Sequence, residues 1–474
     1  MRRPLPLLVS VLAPMLFLGG CLGERPAIPA AAAVTPPQAW RTPATGDAGV
    51  DADWWKAFGD PTLDELVQRA LSNNADVYRA AATVAEARAH LRGARANQGP
   101  EIDLTGLGGY TKQLEVTGPI TTWGAEPAIT IAYDFDLFGQ LRSATAAAKA
   151  QLLSTKASRD AVALATASTT ASAYIDLLGL DEQLRIARET VAARGDELRI
   201  QTRLAGAGYS SQLELRQAEA EYKDAQGLVP TLELAVSEEE DALSVLLGIA
   251  PAAVQRETST LARLETPVIP AVLPSDLLRR RPDIHAAEEA VVAADRSLDS
   301  ARAAMLPQFS LTGSVGGAFA TVLPTPASFY LIGVSALAPL LDSGRRHANA
   351  DVAAAQRDEA AFAYRSAALR SFQEVEDALA SIRRLDERRK LLSAEVEANA
   401  AVLRVATERY KAGYAPYINQ IDAQRSLLSS ELTLAQVQTD RLAAFVTLYQ
   451  AMGGGWSQTT SENTTFLTQA PARP

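Results

Sequence analysis

The residues best spaced for chemistry lie in one run near the C-terminal end, Tyr417-Ile418-Asn419-Gln420-Ile421-Asp422-Ala423-Gln424-Arg425. On a helix Ile418 and Asp422, four residues apart, share a face about one turn from each other, and Arg425 follows Asp422 by three. That spacing suits electrostatics rather than bond making: an apolar step, a carboxylate, and a guanidinium able to pair with it or with a neighbouring chain. On an exposed helix the same charges are simply solvated, and both readings stay open on spacing alone. A second charged run, Arg279-Arg280-Arg281-Pro282-Asp283, has the charge for an anion site. Pro282 suits a first helical turn, however, and a carboxylate at Asp283 complements the helix dipole, so the run reads as a helix start. Bond-making groups are scarce. His90, His285 and His347 are the only imidazoles and Cys21 is the only thiol, with no HExxH, GxSxG or GxxxxGK[ST] string. A disulfide framework and multi-cysteine metal sites are excluded. A net charge of -10 spread along the chain leaves no basic stripe for nucleic acid. The sequence reads as a non-enzyme with no catalytic residues, no metal and no cofactor.

Cys21 has another use. Arg2 and Arg3 precede an apolar run from Leu5 to Leu18, too short to span a bilayer and of the length of a signal-peptide core. The run ends in Leu18-Gly19-Gly20-Cys21, which resembles the lipobox of bacterial lipoproteins, implying cleavage after residue 20 and acylation of Cys21. Leu22 after the cysteine, by the same resemblance, favours the outer membrane. Losing Arg2 and Arg3 takes the mature net charge to -12. Residues 21–51 are rich in Ala, Pro and Thr without periodicity and read as an extended tether, and residues 457–474 as a flexible tail. Ala161 to Ile175 lacks charge, but its Ser and Thr residues and the closing Asp176 make it a tightly packed small-residue helix, not a span. A mature chain of this kind crosses a membrane only with strands.

The positioning elements recur. Asp76 pairs with Asp283, 207 residues on, and Arg95, Pro100 and Leu104-Thr105-Gly106 with Arg302, Pro307 and Leu311-Thr312-Gly313. Further along, Gly139, Ala207-Gly208-Tyr209 and Gly248 recur as Gly344, Ala412-Gly413-Tyr414 and Gly453, 205 residues on. Two tandem units follow, residues 52–265 and 266–456. Each reads as helix, two strands, very long helix, tight turn, helix. Leu63 to Ala96 is expected to be helical, strands are expected near 102–110, 128–137, 309–317 and 329–338, and hairpin tips near 206–210 and 412–416. From Val375 to Tyr410, and 205 residues earlier from Thr170 to Ala205, apolar positions alternate at three and four, a coiled-coil seam interrupted at Arg389 and Asn399 in the second copy and at Thr170, Arg194 and Gln201 in the first. About 66 residues without proline between Gly139 and Gly206 allow roughly 100 Å of helix. Four strands cannot close a barrel, for which about eight is the minimum, so membrane strands here require several copies of the chain.

Leu277-Leu278-Arg279-Arg280-Arg281-Pro282-Asp283-Ile284, Asp134-Phe135-Asp136-Leu137-Phe138-Gly139, Leu341-Asp342-Ser343-Gly344-Arg345 and Gly453-Gly454-Gly455-Trp456, in this order over nearly the whole mature chain, resemble the outer-membrane efflux lipoproteins, TolC-like outer-membrane factors of tripartite RND-type efflux systems. The resemblance implies a fold that is mainly α with membrane β: a homotrimer whose twelve-stranded outer-membrane barrel continues into a periplasmic helical barrel. It implies an exit channel in the outer membrane of a Gram-negative bacterium, lipid-anchored through Cys21. The partners implied are a periplasmic adaptor (membrane fusion protein) and an inner-membrane pump of RND type. It further implies adaptor contact at the tips, Gly208, Tyr209, Gly413 and Tyr414, and a periplasmic gate at Ile418, Asp422 and Arg425. Gln217, 205 residues before Asp422, is neutral, so the two hairpins are expected to contribute unequally. The competing expectation is a lipid-anchored periplasmic coiled-coil adaptor or scaffold, which would place a compact domain between its helical arms.

Overall fold

A computed structural model describes residues 24–42, 49–115, 118–256, 259–321 and 323–457, so the signal segment and Cys21 lie outside the described residues. The elements are α1 Pro61–Asn73, α2 Ala75–Ala96, β1 Glu101–Glu115, β2 Gly118–Phe135, α3 Gln140–Gly206, α4 Gln212–Leu246, α5 Pro274–Arg280, α6 Pro282–Ala303, β3 Gln308–Ala320, β4 Ala327–Leu337, α7 Arg345–Lys411 and α8 Tyr417–Ala451. They divide between two compact units, one of residues up to Val34, 82–156 and 285–367, the other of residues 35–81, 157–284 and 368 onward.

The first unit carries a single antiparallel sheet in the order β1-β2-β3-β4. Side chains alternate across a strand, so register decides which residues share a face. Ile102 lies opposite Ile131, Leu104 opposite Ile129 and Tyr110 opposite Trp123. Ile129 in turn faces Val315 and Tyr133 faces Leu311, and these meet Tyr330 and Val334 of β4. One face is therefore apolar and aromatic from edge to edge, and stands open: Leu104 is 81% and Ile332 78% exposed. The opposite face is mixed: Asp103, Thr105, Thr130, Ser314 and Thr312 share it with Leu107, Phe329 and Leu331. Among the described residues β1 pairs only with β2 and β4 only with β3, leaving both edges unpaired. The strands run beyond their expected ends, β1 to Glu115 and β3 to Ala320, and β2 begins at Gly118, because Gly124 and Pro127 of β2 occupy ladder positions instead of ending the strand. Beneath the sheet α2 packs on the start of α3 through Val84, Ala87, Leu91 and Leu152.

The second unit is helical. Its core joins Phe58, Leu63 and Val67 to Tyr174, Leu177 and Leu178 of α3, Leu243 of α4, Val375 and Leu379 of α7 and Leu448 of α8, all buried. The expected helix from Leu63 to Ala96 is broken at Asn74, whose backbone is extended and whose Oδ1 accepts from the amides of Asp76 and Val77, ending α1 and capping α2. The expected small-residue packing of 161–175 is seen: Ala167, Thr170 and Ala171 are buried, and the Thr166 and Thr170 hydroxyls are satisfied by carbonyls four residues back. At Gly179 the backbones come so close that a Cβ would strike the Thr439 side chain of α8. The Arg279–Asp283 run is held by Arg281, which bridges Asp283 at 2.7 Å, Glu374 at 2.5 Å and the Ala451 carbonyl at 3.0 Å. It is a closed structural network.

The stretch read as an extended tether makes specific contacts along its length. In the first unit Arg25 pairs with Asp295 and Asp299 of α6. Fully buried Arg357 of α7 donates to the Pro26 carbonyl at 2.5 Å and the Ala27 carbonyl at 3.0 Å, and Arg365 donates to Ala31 and Ala33 carbonyls at 2.6 and 2.7 Å. In the second unit Trp40 is buried and donates to the Val272 carbonyl at 2.6 Å. Composition without periodicity forecast the absence of regular structure, not the absence of partners.

Candidate functional site

The helix α8 starts abruptly at Tyr417, after Pro416, which offers no side-chain cap. The corresponding start of α4 is better tied. Ser211 accepts from the Glu214 amide while Glu214 accepts from the Ser211 amide, a closed capping box. The second hairpin therefore enters its return helix with less local stabilisation than the first.

From Tyr417 the helical period sorts the residues. Tyr417 and Ile421 are buried against Ala218 of α4, flanked by Leu198 and Tyr410. Tyr410 and Tyr417 rings meet at 5.1 Å, and burial pushes both phenols up, keeping them neutral. Gln420 is also buried and donates to Glu197 of α3 at 3.4 Å. The polar seam positions are answered in the same region. Gln201 bonds the Tyr410 hydroxyl, and Asn399 donates to Ser430 at 3.1 Å.

Ile418 and Asp422 fall on the other face, as their spacing requires: Ile418 is 39% exposed and Asp422 is exposed. Arg425, expected beside Asp422 or a neighbouring chain, pairs instead with Glu221 of α4 in its own chain. The cause is burial. Glu221 is sunk between helices and also lies 3.1 Å from Arg194 of α3, itself 3% exposed. Arg194 further donates to the Glu221 carbonyl at 2.8 Å and to Asp224 at 3.5 Å. The Glu221 hydrogen bond raises the Arg425 pKa further, so the guanidinium stays charged. Three helices, α3, α4 and α8, are thus tied through one carboxylate. Sequence reasoning missed Glu221 and the use of Arg194, since no local spacing links residues 204 positions apart.

The hairpin turns place Gly208 and Gly413 at φ of 79° and 76°, in the left-handed region where a side chain is strained. Tyr209 and Tyr414 follow them, 84% and 82% exposed. Their amides bond the Leu204 and Arg409 carbonyls, each at 2.8 Å, closing the two turns in the same way. Among the described residues no cluster of three or more His, Cys, Asp or Glu is placed to hold a metal ion.

A family model described as outer membrane efflux protein matches residues 66–249 and 273–454. The pyoverdine export outer membrane protein OpmQ of Pseudomonas putida is 34% identical over 438 residues, covering 89% of this chain and 93% of that one. Outer membrane protein OprJ of Pseudomonas aeruginosa is 32% identical over 488 residues, covering 97% and 98%. The solved outer-membrane channel OprN matches with a TM-score of 0.82 at 26% identity, covering 92% of this chain and all of that one.

Proposed function

From the chain's membership of the outer membrane efflux protein family, we propose that three copies join their four-stranded sheets edge to edge into one twelve-stranded barrel, continued by a barrel of their long helices. The protein is an outer-membrane efflux channel, a transport protein. The observation that carries the assembly is the sheet: one face with an apolar and aromatic band across all four strands, open to its surroundings, and, among the described residues, two unpaired edges. Water tolerates neither; lipid satisfies the face and a neighbouring copy satisfies each edge. Depth agrees. Aromatic pairs bracket the face at Tyr133 and Phe135 on one side and Tyr110 and Trp123 on the other. The ten steps from Trp123 to Tyr133 make about 33 Å of strand, and at a tilt of about 40° this rises roughly 25 Å, the height of an outer-membrane apolar band.

The chain would be organised as a signal segment of residues 1–20, a lipidated arm 21–51 anchored through Cys21, two repeats of 52–265 and 266–456, and a tail of 457–474. Equal lengths of α3 and α7 (67 residues) and of α4 and α8 (35 residues) support the duplication. The uncapped α8 start, with Ile418 and Asp422 on its free face, forms the periplasmic iris: a ring of isoleucines beside a ring of carboxylates that favours cations and resists leak. Arg425 holds that helix to the first hairpin through Glu221. The two exposed tip tyrosines and their glycine turns would meet a periplasmic adaptor coupled to an inner-membrane pump of RND type, with cargo passing through the lumen.

The test is conductance of the purified protein in a planar bilayer, native against Asp422→Ala and Arg425→Ala. Small cation-selective openings that widen in both variants and lose selectivity in Asp422→Ala support the iris. Full-sized conductance indifferent to both moves the gate elsewhere, and no conductance from any of the three sinks the channel assembly.

A further inference from the structure

Two faces of the helical unit are left uncovered by the chain, and each has the spacing of a coiled-coil seam. On α4 the positions Gly227, Thr231, Leu234, Glu238, Asp241 and Val245 alternate at four and three, and all are exposed. On α7 Arg384, Arg388, Leu391, Glu395, Ala398 and Val402 do the same, and all are exposed. Leu234 at 59%, Val245 at 67% and Leu391 at 74% exposure are large apolar groups that a seam normally covers with another helix. The α4 seam carries carboxylates where the α7 seam carries Arg384 and Arg388.

The chain contains a template for how the two would meet. Between α3 and α8, Gly179 abuts Thr439 and Gln183 donates to Gln436 at 3.1 Å. The repeat shift of 205 residues carries Gly179 to Arg384 and Gln183 to Arg388, and carries Thr439 back to Leu234 and Gln436 back to Thr231. All four destinations fall on the two uncovered seams, although burial had no part in choosing them.

We infer that the α4 seam of one copy receives the α7 seam of the next copy in the ring, antiparallel, with Arg384 against Leu234 and Arg388 against Thr231. The Arg384 guanidinium then reaches Glu238, one turn beyond Leu234, and Leu391 covers the bare backbone of Gly227, one turn before Thr231. In the single chain Arg384 makes only an exposed bond to Glu387 at 2.8 Å, which exchanges at little cost. The contact joins two different surfaces, so it propagates head to tail and closes as a ring. It rests on the duplication and the ring assembly proposed above, and gives that assembly its helical register.

The full-length protein in detergent tests it. Cys21 is the only native cysteine, so Leu234→Cys with Arg384→Cys should yield covalent dimers and trimers on oxidation, and neither single variant should. Arg384→Glu should lower the temperature at which the native oligomer dissociates, and adding Glu238→Arg should restore it. A native protein that is monomeric by mass defeats the ring assembly and this seam with it. An intact native oligomer that neither cross-links nor responds to charge reversal overturns the seam alone.

Discussion

Glu221 is the carboxylate on which three helices depend, and the two arginines that share it predict opposite kinds of damage. Arg194 is 3% and Glu221 5% exposed. Glu221→Ala strands a buried guanidinium, a loss of the order of 3–5 kcal/mol for a broken buried pair. The lower end is expected, because Arg194 keeps the residue 221 carbonyl at 2.8 Å and Asp224 at 3.5 Å. Arg425 is 60% exposed, and solvent screening limits its pairing to about 1 kcal/mol or less. Arg425→Ala should hardly change the denaturation midpoint. If that contact exists only while the iris is closed, however, losing about 1 kcal/mol raises the ratio of open to closed channels roughly fivefold. Denaturant unfolding and single-channel open probability, measured on both single variants and the double, separate the two effects. The reasoning is refuted if Arg425→Ala destabilises as much as Glu221→Ala, or if it leaves open probability within twofold of native.

Burial first, then Glu239 and Asp440, push the Asp176 carboxyl up to about 6. An acid raised on folding costs stability as pH climbs past its ordinary value towards that raised one, so Asp176→Asn should raise the melting temperature at pH 7.5 and leave it unchanged near pH 3.5. Gly179→Ala forces a methyl into Thr439 and should destabilise by about 1–3 kcal/mol in urea titration, and pairing it with Thr439→Ala should recover part of the loss. Arg357→Ala removes the donor to two arm carbonyls, so thermolysin should cleave at Ile28 many times faster than in the native protein. Arg357→Lys should not rescue, because one ammonium cannot replace the planar fork.

What was legible in the sequence followed its periodicities. The absence of proline after Gly139 gave α3 to within a residue of its Gln140–Gly206 extent, and the 3,4 seam named the face that buries Leu177, Leu184 and Val375. The free face of Ile418 and Asp422 followed from the same period. Pairings between distant segments were not legible. Arg425 offered Asp422 as its sequence neighbour, while Glu221 lay 204 positions away and wins because a buried carboxylate needs cations more than an exposed one does. The strands looked like a weak mixture of Gly, Ser and Thr with apolar residues. Only their register, Ile102 on Ile131 and Tyr133 on Leu311, gathers the apolar and aromatic residues of all four strands onto a common face. Asn74 broke the pattern where no glycine or proline stands near it, because an Asn side chain can cap a helix as effectively as a breaker ends one.

Between Arg25 and Trp40, whose side chains make their own contacts, the N-terminal arm is gripped by its main chain. Arg357 and Arg365 take the carbonyls of Pro26, Ala27, Ala31 and Ala33, and the side chains of Pro26, Ala27, Ile28 and Ala31 point away exposed. A carbonyl is the same on every residue, so the clamp is indifferent to what the arm spells. The stretch from Pro26 to Ala31 can accept other residues of equal number without loosening, provided Arg357 and Arg365 stay and Arg25, Ala32 and Trp40, which are held by their own side chains, are kept. It is the natural place to attach a label to this protein.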